Sequence, residues 1–350
     1  FIASKMISII IPVRNEKRYI GRCLDAVLTQ DYSSDEFEIL VVDGISDDGT
    51  DEIVANYQQD HPNIKLISNN GRIVPVGMNL ALREADGDII IRVDGHCIIE
   101  PDYVSNCVRH LQEDGVDGVG GPMHTIGEDF TSEVIALAMS SKFGVGNSSF
   151  RTETGQTKLA DTVPFPAYTR EIIQKVGLYD EELVRNQDDE YNYRIREAGG
   201  KILLAEDVRS TYFSRGSFAK LWNQYFQYGY WKVRVLQKHP KQMSLRQFVP
   251  PLFVLSITTS ILLTAFVRWG WVPLVFVLGT YLAANFIFSL SIASKKGWNF
   301  LGLLIPAFAI IHTSYGLGFL VGLLKFANRW HDKTGKVPPW YGERSETIMS

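Results

Sequence analysis

Residues 37–50, FEILVVDGISDDGT, decide the fold class of this chain. A mostly apolar run, residues 37–42, is followed by an acidic loop with two glycines, residues 43–50, and then by an amphipathic stretch. The same order recurs from residue 7 to residue 111. Because the runs are continuously apolar rather than alternating, they predict strands that are buried on both faces. The pattern therefore predicts an α/β domain with a mostly parallel sheet flanked by helices.

Four units of this kind can be placed along the chain. The predicted strands span residues 7–13, 37–42, 64–68 and 88–93, and the predicted helices span residues 19–28, 51–57, 74–83 and 102–111. After residue 121 the pattern is irregular until a short helix, 191–198, and a last strand, 201–205. Ligands bind beyond the carboxyl ends of the strands in such sheets, so the loops that follow the strands are the first candidates for a site.

Charge and hydropathy separate a second region from this domain. Residues 1–215 hold 21 Lys and Arg against 36 Asp and Glu, whereas residues 216–350 hold 14 against 3. Three segments of the second region lack Asp and Glu and have the length of about 20 residues that a membrane-crossing helix needs: 249–267, 271–293 and 300–324. We therefore predict a catalytic domain at 6–215, an amphipathic interfacial segment at 216–248, a transmembrane region at 249–325 and a basic tail at 326–350.

The interfacial segment is rich in basic and aromatic residues and contains no acidic residue. Basic residues beside an apolar span are typical of the cytoplasmic face of a membrane, and aromatic residues mixed with them suit a helix in the headgroup layer. We expect a multi-pass membrane protein, with its soluble domain on the cytoplasmic side, that contacts membrane lipid and no nucleic acid. The alternative for this segment is an ordinary helix that packs on the soluble domain.

The number of membrane crossings stays open at this point. Three crossings would place the basic tail and the catalytic domain on different sides of the membrane. The positive-inside rule disfavours that arrangement, because basic segments are retained on the cytoplasmic side. A third segment that re-enters as a hairpin would instead place the tail on the same side as the domain.

Polar side chains with ligand chemistry follow two of the predicted strands. Asp43 ends a buried strand, where a carboxylate needs donors such as those of a nucleotide base or ribose; the alternative is an aspartate that stabilises its own turn. Asp94 and His96 follow another strand, and their i, i+2 spacing points both side chains the same way, so that they can share one divalent cation. The carboxylate suits Mg²⁺ or Mn²⁺, and the imidazole favours Mn²⁺.

Three carboxylates, Asp188, Asp189 and Glu190, are crowded before the predicted helix at 191–198. Acidic residues near a helix N-terminus are ordinary partners of the helix dipole, which accounts for at least two of the three. Crowding can nevertheless suit one of them to act as a general base near neutral pH. The sequence contains neither a G-x-G-x-x-G motif after its first strand nor a P-loop, so a dehydrogenase and a P-loop NTPase are not supported.

Four strings resemble the family 2 inverting glycosyltransferases with the GT-A fold: IPVRNE (11–16), VVDGISDDGT (41–50), VDGH (93–96) and QDDEYNYRIREAG (187–199). The resemblance covers about residues 6–236. Gly44 and Ile45 depart from the family's V-V-D-D-G-S-x-D-G-T pattern, and His96 replaces the second aspartate of its D-x-D metal motif. Later stretches, from Arg215 onward, resemble the succinoglycan-biosynthesis type of membrane glycosyltransferase. This resemblance implies a location in the bacterial inner (cytoplasmic) membrane, with the catalytic domain on the cytoplasmic side.

The resemblance implies a reaction and assigns residues to it. The implied reaction moves one sugar, glucose from UDP-glucose, to a polyprenyl-diphosphate-linked saccharide in exopolysaccharide assembly, with Asp188 as the catalytic base. Asp94 and His96 are expected to hold Mn²⁺ or Mg²⁺. The residues expected to contact the nucleotide or donor are Pro12, Val13, Arg14, Asn15, Glu16, Asp43, Arg72, Asn79 and Asp94. Contacts to the acceptor or the diphosphate are expected from Glu190, Arg215, Gln224 and Trp231.

Two alternatives stay open beside this reaction. One is a polyprenyl-phosphate sugar synthase, whose phosphate nucleophile would not need a general base. The other is a non-catalytic nucleotide-sugar-binding membrane protein, motivated by the departures at Gly44, His96 and Gln187. Transfer of a single sugar is favoured over polymer synthesis, because the Q-x-x-R-W motif of processive synthases is missing. The sequence does not indicate the oligomeric state.

Overall fold

The computed structural model describes residues 5–33, 36–146, 148–152, 155–338 and 340. The chain divides into two units: residues 1–124, 153–212 and 335–350 form the first, and residues 125–152 and 213–334 form the second. The second unit thus includes a segment, 125–152, from inside the domain predicted at 6–215. Residues 341–350 of the predicted basic tail lie outside the described residues.

Strands and helices alternate through most of the first unit and helices dominate the second. The strands in the described part of the chain are β1 Ile7–Val13, β2 Phe37–Asp43, β3 Ile64–Ser68, β4 Ile89–Arg92, β5 Cys97–Ile99, β6 Gly118–Gly120, β7 Met123–Ile126, β8 Lys158–Leu159, β9 Ala167–Thr169, β10 Ile202–Leu204 and β11 Ser210–Phe213. The α-helices are α1 Ile20–Leu28, α2 Thr50–Asp60, α3 Val74–Glu84, α4 Tyr103–Glu113, α5 Phe130–Met139, α6 Lys142–Val145, α7 Ser149–Thr152, α8 Arg170–Val176, α9 Gln187–Glu197, α10 Phe218–Lys238, α11 Val249–Phe266, α12 Trp271–Lys296 and α13 Leu301–Lys325.

The main sheet of the first unit has the strand order β3-β2-β1-β4-β9-β6-β10-β8. Strands β1 to β4 pair in parallel, and the isoleucines and valines of β1, β2 and β4 are almost fully buried, as the continuous apolar runs predict. The register places Val13 opposite Asp43 and Asp43 opposite Ser68, so that three strands end at one edge. The predicted mostly parallel sheet is confirmed, and the loops after these strands lie side by side.

Some elements carry no clear signal in the sequence. Strand β9 lies antiparallel between β4 and β6, and its three residues are too few to show a period. Helix α9 begins at Gln187 rather than at residue 191, so the acidic run forms the first turn of the helix instead of a loop before it. The irregular stretch after residue 121 contains three short helices, α5 to α7, which belong to the second unit.

Helices α10 and α13 pack closely within the second unit. The carbonyl oxygen of Tyr315 occupies the space that a Cβ on Gly229 would need, so the two backbones approach each other as only a glycine permits. Further along both helices, the side-chain amide of Gln237 donates a hydrogen bond of 2.8 Å to the carbonyl oxygen of Phe326. Because the contacts advance together along both sequences, the two helices run parallel.

The three predicted apolar segments form the helices α11, α12 and α13, each long and apolar enough to cross a membrane. Only 11% of the most apolar window of α11 and of α12 is buried, against 44% in α13. Helix α6 covers part of α13, since the carbonyl oxygen of Phe143 lies 2.8 Å from Nε2 of His312 and the two rings meet edge to face. Helices α11 and α12 therefore present apolar surface, whereas protein covers much of α13.

Candidate active site

The loops after β1 and β2 are joined by hydrogen bonds into one surface at the carboxyl edge of the sheet. The backbone N–H of Asn15 donates to Oγ of Ser46 at 2.9 Å, and its side-chain oxygen accepts from the N–H of Asp47 at 3.0 Å. The N–H of Glu16 donates to Oγ1 of Thr50 at 2.9 Å. The residues predicted to contact the nucleotide at 12–16 and at Asp43 thus belong to neighbouring, cross-linked loops.

Asp43 is buried and stabilises its own loop. Its two carboxylate oxygens accept from the backbone N–H of Ser46 at 2.9 Å and from the Ser46 hydroxyl at 2.5 Å. This is the turn role that the sequence offers as the alternative for Asp43. The loop also holds Ile45 at a φ of 57°, a left-handed conformation that is rare for a β-branched residue. Backbone strain of this kind is often found at functional sites.

The loops after β3 and before α9 carry similar strain. Arg72 has a φ of 58° and Asn186 a φ of 62°, and Asn15 in the first loop has a φ of 59°. Arg72 is exposed just beyond the end of β3, on the edge where the other loops lie. Its predicted contact with the donor stays a prediction.

Arg92, the last residue of β4, was not identified from the sequence and lies at the centre of the site. Its guanidinium is 6% exposed and donates two hydrogen bonds to Oδ1 of Asp94, at 3.0 Å from Nε and 2.9 Å from Nη2. Its third nitrogen, Nη1, contacts Oδ1 of Asp188. The two carboxylates predicted to act on the donor and on the acceptor therefore meet on one cation. The sequence does carry a signal for this contact, a single arginine within the apolar run IIIRV (89–93). A charged side chain in a buried strand needs partners of opposite charge.

The charge of Arg92 persists despite its burial. Burial is the largest single influence and lowers the pKa of the guanidinium, but the carboxylate of Asp94 and the neighbouring Tyr179 and Tyr168 together outweigh it and raise the pKa above its ordinary value. Arg92 is therefore a permanent positive charge between two carboxylates.

His96 is held in a tight pocket next to Asp94. Its Nδ1 lies 3.0 Å from Oε1 of Glu16, and its ring meets that of Tyr212 edge to face at 4.8 Å. The intervening Gly95 lies so close to Val13 that a Cβ there would stand 2.6 Å from a methyl carbon. Among the residues that the structure describes, Nε2 of His96 is buried without a hydrogen-bond partner.

Two of the predicted contact residues bind partners inside the protein. Glu190 is 1% exposed and binds Arg194, one helical turn further along α9, through both carboxylate oxygens, at 2.7 and 3.2 Å. Asn79 is fully buried, and its side-chain amide binds the backbone of Tyr179, which is distant in sequence, through both of its polar atoms. Each contact satisfies a buried polar group. The predicted contacts of Glu190 with the acceptor or diphosphate and of Asn79 with the donor stay predictions.

Three further predicted residues, Arg215, Gln224 and Trp231, belong to the second unit. The amide of Gln224 donates to the hydroxyl of Tyr228 at 3.0 Å, and the indole N–H of Trp231 donates to Gln227 at 3.1 Å. Their contacts with an acceptor or diphosphate stay predictions.

The chain was compared with known proteins. The model of the family "Glycosyl transferase family 2" matches residues 8–177. The succinoglycan biosynthesis protein ExoA of Rhizobium meliloti is 31% identical over 330 residues, which cover 92% of this chain and 96% of that protein. The chain belongs to glycosyltransferase family 2. It is an enzyme of the transferase class, and the matched family region contains the loops after β1, β2 and β4.

Two other similar proteins extend the comparison. One relative, from Methanococcus voltae, is named dolichyl N-acetyl-alpha-D-glucosaminyl phosphate 3-beta-D-2,3-diacetamido-2,3-dideoxy-beta-D-glucuronosyltransferase; it is 31% identical over 66% of this chain and 74% of its own length. A solved structure, the mannosyltransferase PcManGT from Pyrobaculum calidifontis with GDP-Man and Mn²⁺, matches with a TM-score of 0.57 and 20% identity over 92% of this chain and 88% of that one. At 20% identity, the likeness to PcManGT shows that this chain has the GT-A fold.

The residues present fit the divalent cation that GT-A structures contain. Asp94 and His96 follow β4 at the position of the family's metal motif, and the buried Nε2 of His96 is suited to a cation as its partner. The described residues contain no group of three or more His, Cys, Asp or Glu side chains that could hold a metal ion. A cation held by only these two side chains would keep open coordination positions for a diphosphate.

We predict that Glu190→Ala weakens the fold and leaves the nucleotide site intact. The side chain of Arg194 is 14% exposed and also binds the carbonyl oxygens of Val176 and Leu178, so removal of its carboxylate partner leaves an uncompensated charge. Loss of one partner of a buried pair lowers the free energy of unfolding by about 3–5 kcal/mol. Unfolding of the purified variant and its UDP affinity are the two measurements.

Glu197→Ala is the matched control on the same helix, because Glu197 is exposed and surface changes usually alter the unfolding free energy by about 0.5 kcal/mol or less. If Glu190→Ala left stability unchanged and abolished UDP binding, Glu190 would be a substrate-binding residue and the prediction would be wrong.

Proposed function

We propose that this family 2 enzyme is a membrane-bound inverting glycosyltransferase that moves glucose from UDP-glucose to a polyprenyl-diphosphate-linked saccharide in exopolysaccharide assembly. The observation that carries the proposal is the meeting of Asp94 and Asp188 on Arg92 at the carboxyl edge of the sheet. A donor-side carboxylate and an acceptor-side carboxylate are what a single displacement at an anomeric carbon needs. The extent of the likeness to ExoA supports the acceptor class.

Asp188 would act as the general base. Its carboxylate is 38% exposed, and its Oδ1 is held by Arg92, which leaves Oδ2 to take the proton of an acceptor hydroxyl. The hydroxyl oxygen forms the new bond to the anomeric carbon while the bond to the UDP oxygen breaks on the opposite face. The configuration inverts, and UDP leaves with the electron pair.

The other residues of the site would bind and orient the donor. The cross-linked loops at 12–16 and 43–50 would hold the nucleoside, with the main-chain groups of the strained turns turned toward it. Asp94 and His96 would hold Mn²⁺ or Mg²⁺. When bound, such a cation neutralises the charge that develops on the leaving diphosphate.

The acceptor is proposed from two relatives of different kinds. One is named for succinoglycan biosynthesis and the other for transfer to a dolichyl phosphate-linked sugar. The second name describes an acceptor carried on a lipid, which agrees with the three apolar helices of this chain. A polyprenyl-phosphate sugar synthase is the remaining alternative, and the acceptor of such an enzyme is itself a phosphate.

We also propose where the chain lies in the membrane. The backbone N–H of Lys336 donates to Oδ1 of Asp180 at 2.8 Å, and the N–H of Glu181 donates to the carbonyl oxygen of Lys336 at 2.9 Å. The chain from residue 335 onward therefore belongs to the unit that carries the catalytic loops, which supports an even number of crossings. Helices α11 and α12 would cross as a hairpin.

Helix α13 would stay on the catalytic side of the bilayer. Its last turns pack along α10, which buries three basic residues, Lys232, Arg234 and Lys238, that are unsuited to the hydrocarbon layer. The guanidinium of Arg234 also binds the carbonyl oxygens of Arg329 and Asp332, at 3.4 and 3.3 Å, beyond the end of α13. This placement keeps the basic tail on the cytoplasmic side, as the positive-inside rule requires.

The general base is tested with Asp188→Asn. An amide cannot take a proton, so kcat should fall by about 10²–10⁴ while the KM for the donor stays near its normal value. Asp189→Asn is the matched control and should keep near-normal turnover. The measurement is transfer of labelled sugar from UDP-glucose to a lipid extract. Near-normal turnover by Asp188→Asn would exclude it as the base and favour the sugar-phosphate synthase.

The membrane placement is tested with reporter fusions to the full chain. Green fluorescent protein after residue 350 should fluoresce, and alkaline phosphatase at the same position should be inactive, because both report the cytoplasmic side. Alkaline phosphatase inserted between α11 and α12 should be active. An active phosphatase after residue 350 would mean an odd number of crossings and would contradict the hairpin.

A further inference from the structure

The stem of Arg92 is enclosed by apolar and aromatic side chains. One small pocket is lined by Arg92 together with Tyr168, Tyr179 and Tyr191. The ring centroids of Tyr179 and Tyr191 are 4.1 Å apart, and the two rings stack. The side chain as a whole is 7% exposed. Water therefore cannot satisfy the guanidinium, and its charge has to be matched by carboxylates.

The guanidinium nitrogens are shared between two segments of chain. Nε and Nη2 bind Asp94 in the loop after β4, and Nη1 binds Asp188 in the first turn of α9, 96 residues later. A planar guanidinium can bind two carboxylates in fixed directions, which a lysine ammonium cannot do. The separation and mutual orientation of the two carboxylates are thus set by one rigid group.

Asp188 depends on this contact for its orientation. Among the described residues, Arg92 is the hydrogen-bond partner of the Asp188 carboxylate. The helix that carries it begins at Gln187, and the preceding residue, Asn186, has a left-handed φ and provides no side-chain cap. Without Arg92, the Asp188 side chain would be free to change rotamer at a partly exposed helix end.

We propose that Arg92 is a positioning residue that holds the carboxylates of Asp94 and Asp188 in the relative geometry needed for sugar transfer. The proposal rests on the proposed function, in which Asp94 acts on the donor side and Asp188 is the base. Arg92 does not contact the reacting atoms. It acts by fixing where the base stands relative to the donor site, and a displacement of about 1 Å at such a position can lower a rate by about 10²-fold.

A double-mutant cycle in the full-length, membrane-bound enzyme tests the proposal. Arg92→Lys keeps the charge and removes the planar fork, so kcat should fall by about 10²-fold. In an Asp188→Asn background the same change should lower kcat by less than about 3-fold, because the base that Arg92 positions is already absent. The measurements are kcat and the KM for the donor in all four proteins, together with thermal unfolding and UDP binding.

Arg194→Lys provides the matched control. Arg194 is another arginine of the first unit; its side chain is 14% exposed and is paired with a carboxylate on α9, but that carboxylate is Glu190. Its effect on kcat should be the same with and without Asp188→Asn, as expected for a purely structural change.

The outcomes separate this proposal from the proposed function. Near-normal turnover by Asp188→Asn alone would overturn the proposed function. If Asp188→Asn is slow and the added Arg92→Lys change lowers its kcat by a further 10²-fold or so, only the proposed role of Arg92 would be overturned. If Arg92→Lys does not fold, the cycle is run with Arg92→Gln, which keeps an amide donor; failure of both variants to fold would assign Arg92 to folding and overturn the proposal.

Discussion

A buried positive charge at the end of β4 is the interaction on which the candidate site depends. Arg92 is surrounded by tyrosines and apolar groups, so the fold is stable only if carboxylates neutralise the guanidinium. Asp94 and Asp188 do so, and the need to neutralise one cation draws together a strand-end loop and a helix start that are far apart in sequence. The same pairing positions two carboxylates at the edge where a parallel sheet binds its ligands.

The second unit is organised by a different constraint, the close approach of two helices. Gly229 lets α10 and α13 come into backbone contact, and Arg234 fastens the chain beyond α13 to α10. A helix that is apolar enough to cross a bilayer is in this way covered by protein. Length and composition alone do not distinguish such a helix from a crossing one, and the difference lies in what packs against it.

The sequence was sufficient for the centre of the fold and for the loops that carry the candidate site. The runs that form β1 to β4 are long and continuously apolar, and the loops after them contain Asp43, Asp94 and His96. Strand β9 and the first turn of α9 were missed because one is three residues long and the other is made of acidic residues, which are poor indicators of a helix interior. The partner of Asn79 and the contact of Arg92 with Asp188 could not be predicted, because they depend on which residues the tertiary fold brings into contact.

We propose that the carboxyl edge of the sheet binds a metal-bound sugar nucleotide between Asp94 and Asp188. A crystal structure of the protein with UDP and Mn²⁺ tests it most directly, with the metal located by its anomalous scattering. We expect the metal to bind Asp94 and His96 and the uridine to lie against the loops after β1 and β2. Asp188 should face the open side of the diphosphate. UDP and metal bound elsewhere, with this edge empty, would contradict it.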